Sequence, residues 1–216
     1  MKLPMSEWNM ETWERREAYK YFSSFSNPFY MVSFRLDVTD LYRYTKSSGL
    51  SFYTGMVWAC TEALNSVDAF HLVIRNGNVV RLPRRNPSFT ALRPGAEQFH
   101  IVTMEHNADI VSFCREADRL SKNQTAFLES EKETDILIYY SCLPWIDLTA
   151  LTQERDLSSP GALDDSIPRL TWGKYTDENG RKTLGLSMEV NHRLIDGIHI
   201  GRFAERFMEI TAQLKS

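Results

Sequence analysis

His192 and Asp196, four residues apart in the run 186–203 (LSMEVNHRLIDGIHIGRF), are the residues best suited to proton transfer. An imidazole titrates near ~6.5, so a neutral ring can accept a proton close to neutral pH. Asp196 leaves two roles open. It could orient the imidazole as the aspartate of a triad does, or pair with a cation elsewhere and fix the chain. Spacing alone does not choose between them. Either role needs rigid elements on both sides of the pair.

Residues 184–190 are apolar and β-prone, and they lead directly towards His192. Beyond Gly197, apolar residues at Ile200, Phe203, Phe207, Ile210 and Leu214 are spaced by 3, 4, 3 and 4, the period of a half-buried helix. The pair therefore stands where a strand hands the chain to a helix, and Gly197 can relax that corner because it lacks a Cβ. Upstream, residues 11–22 predict a short amphipathic helix that Thr12 can cap. Residues 28–38 predict a strand, 39–48 a helix and 52–67 a more deeply buried helix. Arg75-Asn-Gly-Asn78 marks one hairpin and Asp177-Glu-Asn-Gly180 the turn of a second. Strands are expected over 87–92, 98–104 and 135–142, and a helix with a polar outer face over 107–122. Residues 147–168 are irregular. Helices interspersed with strands and hairpins predict an α/β fold, a mixed sheet covered by helices in a sandwich.

His-x-x-x-Asp-Gly closing a strand before a C-terminal helix resembles the motif of the coenzyme A-dependent acyltransferases. These include the chloramphenicol acetyltransferases and the catalytic domains of dihydrolipoyl transacylases. NHRLIDG is locally closer to the transacylases, whereas GIHIGRF resembles the acetyltransferases. Four further stretches, from near residue 12 onward, decide between them. Ser141-Cys-Leu-Pro144-Trp145 is similar to Ser-x-x-Pro-Trp of the chloramphenicol acetyltransferases, and Thr171-Trp-Gly-Lys174-Tyr175 to their Thr-x-x-Lys-Tyr. Trp13-Glu-Arg15 matches an N-terminal Trp-x-Arg, and Leu36-Asp-Val-Thr39 a strand end. The transacylases lack Ser-x-x-Pro-Trp, and this chain lacks their lipoyl domain and linker. A free-standing acetyltransferase is therefore the expectation, as one domain over 1–216 with a two-layer, mostly antiparallel sandwich.

The resemblance implies a role for each matching residue. His192 takes the proton of an acceptor hydroxyl as it attacks the thioester of acetyl-CoA. Ser141 donates a hydrogen bond to the oxyanion of the tetrahedral intermediate, and Thr171 holds a water nearby. Asp196 and Arg15 form a buried ion pair that fixes the corner. Tyr30, Phe99, and Phe127 or Leu128 fall at positions of the acceptor pocket. Lys174 and Tyr175 fall on the coenzyme A side, where a cation and a ring suit phosphate and adenine. The assembly implied is a homotrimer with active sites at subunit interfaces. Two departures touch the acceptor: 147–168 replaces a Phe/Asn-rich segment, and Asn191 stands where a second histidine is usual. Chloramphenicol is the default acceptor, with another hydroxyl or amine acceptor open.

Other classes are set aside on composition. A net charge of −3 argues against a general nucleic-acid binder. No apolar run approaches the ~20 residues of a membrane span. The N-terminus has no apolar signal-peptide core, so a cytoplasmic protein is expected. Cys60, Cys114 and Cys142 share no ligand spacing, and His71, His100 and His106 have no partners at such spacing, so no metal site is expected. Cys142 adjoins Ser141, but neighbours on a strand point to opposite faces, so a site-facing Ser141 turns Cys142 to the core. The resemblance implies that His199 is structural. Two readings stand beside the acetyltransferase: a transacylase core with another acceptor, and a catalytically silent trimeric binding protein.

Overall fold

A computed structural model of the chain describes residues 6–159 and 161–214. In chain order the strands are β1 (Ser6–Glu7), β2 (Phe29–Asp37), β3 (Leu72–Arg75), β4 (Asn78–Arg81) and β5 (Asn86–Leu92). They continue with β6 (Phe99–Thr103), β7 (Leu137–Leu143), β8 (Arg169–Gly173), β9 (Thr176–Glu178) and β10 (Arg181–Asn191). The helices are α1 (Arg16–Ser23), α2 (Thr39–Ser47), α3 (Phe52–Asn65), α4 (Ile110–Asn123) and α5 (Gly197–Ala212).

The main sheet runs β2-β10-β8-β7-β5-β6, with β9 paired to the first residues of β10. Only β5–β7 and β7–β8 are parallel, so the sheet is mixed and mostly antiparallel, as expected. β1, β4 and β3 make a small second sheet. The first hairpin turns at Asn76 and Gly77 and the second at Asn179 and Gly180, all four at positive φ, the geometry that Asn-Gly supplies at least strain.

β10 organises the sheet because both its faces are covered. Leu184, Leu186, Met188 and Val190 point to the helices and join the core with Phe203 and Phe207 of α5. Each such side chain, fully buried, contributes about 1.5–3 kcal/mol. α3 lies centrally in the helical layer and is buried nearly all round, which is why its sequence shows little amphipathic contrast. Gly55 lets α3 approach α2, since a Cβ there would stand 2.7 Å from Thr45 Cγ2.

The other face of β10, with Gly185, Ser187, Glu189 and Asn191, is crossed by residues 147–159 and 161–165. Leu148 seats directly on Gly185, where a Cβ would come within 1.8 Å of the Leu148 carbonyl oxygen, and on Gly173. Leu151 N donates to Ser187 Oγ, and Asn191 Nδ2 donates to the Leu163 and Asp165 carbonyls. Arg155 links Glu189 to Asp165. The segment read as irregular is thus the second cover of the sheet. Its order comes from contacts to side chains on distant strands, which leave no periodicity in its own sequence.

α1 begins at Arg16, not at Glu11, and Thr12 is not its cap. Asn9 Oδ1 accepts the amides of Glu11 and Thr12 and holds that stretch as a turn. Arg85 is buried at 1% exposure, and its guanidinium donates to the carbonyls of Phe70, Leu72, Asp135, Leu137 and Ser166. It ties the small sheet to the main one. No helix among the described residues is long and apolar enough to cross a membrane.

Candidate active site

The corner after β10 is held from three directions. His192 N donates to the Pro28 carbonyl at 2.8 Å, and the amides of Leu194 and Ile195 return to Asn191 O. Asp196 is the N-cap of α5: its Oδ1 accepts from Gly197 N at 2.7 Å, while His199 Nδ1 accepts from Asp196 N at 2.9 Å. This reciprocal cap places His199 in a structural role, as expected. From the N-cap position of α1, Arg15 Nη1 donates to Asp196 Oδ2 at 2.8 Å and Nη2 donates to the His192 carbonyl at 3.0 Å. One guanidinium thereby grips both ends of the His192–Asp196 turn.

The two roles left open for Asp196 separate here. His192 Nε2 lies 3.8 Å from Asp196 Oδ1, beyond hydrogen-bond reach, while both aspartate oxygens are engaged elsewhere. The geometry is that of an architectural pair. It is less buried than expected, with 17% of the Arg15 and 46% of the Asp196 side chain exposed. The Arg15 guanidinium, first among several causes, holds the Asp196 carboxyl below its ordinary value.

The His192 ring is clamped between Phe22 and Tyr30, at centroid distances of 3.9 and 4.0 Å. Burial lowers the imidazole pKa below its ordinary value, and Asp196 only partly opposes this. The ring is therefore a neutral base at neutral pH, with Nε2 unengaged and a quarter of its side chain exposed. Tyr30, expected in the acceptor pocket, belongs to this corner. Its hydroxyl is buried without a partner among the described residues, and burial pushes its pKa up to about 12.

Ser141 and Thr171 lie elsewhere on the sheet. They are direct neighbours across β7 and β8, and Thr171 pairs in turn with Ser187 of β10 and Ser187 with Ser33 of β2. The result is a row of four hydroxyls on the face away from the helices. Ser141 and Thr171 line a cleft of 1030 Å³ that also takes in Phe99, Trp145, Gln153, Ser51 and Thr54. It passes between β5 and β7, which pair only as far as Phe89 and Tyr140 before separating. Cys142 packs against the core, and burial pushes its thiol up to about 12, so it is no thiolate nucleophile.

His192 is not in that cleft. Four residues of strand and two strand spacings separate Ser187's row at Ser141 from the end of β10, which puts Ser141 roughly 16 Å from Asn191. Within one chain, Ser141 and His192 cannot touch the same acyl carbon.

Phe99 and Phe127 pair at 5.5 Å, each about half exposed, with Phe99 at the cleft and Leu128 next along the chain. Lys174 and Tyr175 are outside the cleft lining. Lys174 is exposed, its amide bonded to Ile146 O beside Trp145, and Tyr175 packs edge-on against Tyr42 and Phe52. Two contributors escape a reading of the sequence. Phe22 covers His192, and the spacing Arg15, Tyr19, Phe22 (i, i+4, i+7) was the available signal, one helix face aimed at the corner. Gln153 donates from Nε2 to Thr171 Oγ1 at 2.9 Å, and nothing local marks it. No group of three or more potential metal ligands occurs among the described residues.

A family model described as chloramphenicol acetyltransferase matches residues 4–208. The chain is 24% identical over 209 residues to chloramphenicol acetyltransferase 3 of Escherichia coli, covering 95% of this chain and 96% of that one. It is 25% identical over 208 residues to a chloramphenicol acetyltransferase of Streptomyces acrimycini, covering 94% and 93%. Among solved structures, a chloramphenicol acetyltransferase superposes with a TM-score of 0.84 at 21% identity, over 98% of this chain and 100% of that one. The dihydrolipoamide acetyltransferase of Azotobacter vinelandii superposes with a TM-score of 0.67 at 18% identity, over 91% and 86%.

Proposed function

Starting from the fact that this chain belongs to the chloramphenicol acetyltransferase family, we propose that it is an acetyl-CoA-dependent O-acetyltransferase. Its acceptor in this reading is chloramphenicol or a related small molecule bearing a hydroxyl. The observation that carries the reading is His192: a neutral imidazole, clamped between two rings, with Nε2 free and its backbone gripped by Arg15. A corner with no chemistry has no need of that arrangement.

His192 Nε2 takes the proton of the acceptor hydroxyl as its oxygen attacks the thioester carbonyl. General-base assistance of this type is worth about 10²–10⁴-fold. Ser141 donates a hydrogen bond to the oxyanion that develops, a contribution of about 3–4 kcal/mol. Thr171 stands beside it as the polar group that holds a water. Arg15 and Asp196 are positioning residues. Phe99, Phe127 and Leu128 form the acceptor wall on the Ser141 side, and Tyr30 backs the base. For the acyl donor, the exposed indole of Trp145, 70% accessible, stands at the cleft beside Lys174. With Tyr175 they offer rings and a cation suited to adenine and phosphate.

Ser141 and His192 are too far apart in one chain to share a substrate. We therefore read the working enzyme as a cytoplasmic homotrimer in which each site joins His192 of one copy to the Ser141 cleft of the next. Thiol release from acetyl-CoA tests the function directly, against chloramphenicol, other hydroxyl acceptors and dihydrolipoamide. Release dependent on a hydroxyl acceptor is expected. Dihydrolipoamide as the best acceptor would instead promote the transacylase reading, and no release with any acceptor would leave only a binding protein.

A further inference from the structure

We propose that Glu133 and Gln153 make this enzyme select acceptors carrying a cationic amine near the hydroxyl that is acetylated. The proposal rests on the acetyl-transfer reading above. The cleft beside Ser141 and Thr171 is apolar at Phe99, Trp145 and Leu151, but it also carries Glu133 and Gln153, two polar groups that a wholly apolar acceptor would not use.

Gln153 belongs to the segment that crosses the open face of the sheet. Its Nε2 is spent on the Thr171 hydroxyl, which leaves Oε1 as an acceptor without a donor among the described residues. An apolar ligand group packed there would leave that oxygen unpaired, at a cost of about 1–3 kcal/mol. A ligand N–H or O–H would satisfy it.

Glu133 supplies the charge. Its carboxylate accepts a hydrogen bond from the Tyr139 hydroxyl at 2.7 Å and lies 3.3 Å from the Thr103 hydroxyl. Both partners are neutral, and no Lys or Arg among the described residues pairs with it. Arg169, the one cation lining the cleft among the described residues, is already bonded to Asp165 and to the Glu154 carbonyl. Glu133 lines the same cleft as Ser141, Thr171 and Gln153. An amino alcohol bound along that cleft can set its reacting end near Ser141 and turn its ammonium towards Glu133. In a partly closed cleft such a charge pair is stronger than in water.

The test uses two acceptors that share one aryl propanediol and differ at the amino position: chloramphenicol, which is neutral, and its analogue with a dimethylamino group in place of the dichloroacetamide, with Glu133→Gln isolating the part of the preference that is due to charge. The tertiary amine is protonated at neutral pH and cannot itself be acetylated. kcat/KM is measured for both with the wild-type protein, Glu133→Gln and Gln153→Leu. The ammonium acceptor should be preferred by at least tenfold, and Glu133→Gln should cut the preference at least threefold. Gln153→Leu should move it towards chloramphenicol. Because the readout is a ratio within each variant, a loss of folded protein cancels. A smaller wild-type preference, or a smaller drop with Glu133→Gln, overturns the proposal and leaves the acetyl-transfer reading standing. Transfer to neither acceptor overturns this proposal, and the wider acceptor panel then decides the acetyl-transfer reading.

Discussion

At the scale of single residues, the site turns on keeping His192 unprotonated. Burial between Phe22 and Tyr30 disfavours the imidazolium, and Arg15 adds to that, while Asp196 works the other way from 3.8 Å. The sign follows directly. A base whose pKa is lowered stays neutral down to a lower pH, so the acid limb of kcat/KM should fall below pH ~6.5, the ordinary histidine value. Replacing Phe22 with Ala opens the ring to water and should move that limb upward, which a pH–rate profile resolves. His192→Ala should lower kcat by about 10²–10⁴-fold with coenzyme A binding kept. A variant retaining more than about a tenth of the wild-type rate would remove His192 from the role of base. Ser141→Ala should cost about 10²–10³-fold in kcat.

At the scale of elements, α1, β10 and α5 meet at one turn, and the Arg15–Asp196 bridge is the tie. With nearly half of the Asp196 side chain exposed, water weakens the pair, so its coupling should sit near the surface value of about 1 kcal/mol. The 3–5 kcal/mol of a fully buried pair is not expected. A double-mutant cycle of Arg15→Ala and Asp196→Ala in thermal unfolding measures this, and strictly additive losses would mean that the two residues do not interact. The cap of α5 adds a pH dependence. Burial holds His199 down to about 4, below the 6.5 it has when unfolded. Between those values the unfolded chain binds more protons, so stability falls as pH drops from 6.5 towards 4, by roughly 2–3 kcal/mol in all. His199→Gln keeps a cap acceptor at the same helical position and should flatten that slope. The elements themselves were largely legible in the sequence. Strands announced themselves by alternation, hairpins by Asn-Gly, α5 by its 3-4-3-4 spacing, and the corner by His-x-x-x-Asp-Gly. What was not legible depends on distant partners. The start of α1 is set by Asn9, the path of 147–159 and 161–165 by slots at Gly173 and Gly185, and Gln153's contact with Thr171 by that path.

At the scale of the whole molecule, the roles proposed for Ser141 and His192 call for a second copy, because the two lie far apart in one chain. Exposed aromatic rings give that conclusion little help. Of the aromatic residues near strand ends that a subunit interface could cover, Trp145, Phe29 and Tyr139, only Trp145 stays exposed, because Arg155 covers Phe29 within the chain and Glu133 takes the Tyr139 hydroxyl. The geometry of the catalytic groups is the stronger argument, and it assigns each residue to a half-site. His192, Phe22, Tyr30, Arg15 and Asp196 travel together, and Ser141, Thr171, Phe99 and Gln153 form the other half. Two dead variants from opposite halves should therefore rescue each other. When His192→Ala chains are mixed with Ser141→Ala chains and allowed to exchange, some interfaces combine an intact histidine with an intact serine. In a closed ring of three with random assortment, about one interface in four does so, and about a quarter of wild-type activity should return. Variants from the same half, such as His192→Ala with Tyr30→Ala, should give no rescue, because no interface then holds an intact histidine beside an intact Tyr30 unless both come from one wild-type chain. Light scattering gives the companion measurement, since a particle of only 25.1 kDa at working concentration would remove the shared site. Exchange demonstrated by mixed affinity tags, with no return of activity, would show that each chain owns its whole site and that the two halves close on each other by a movement within one chain.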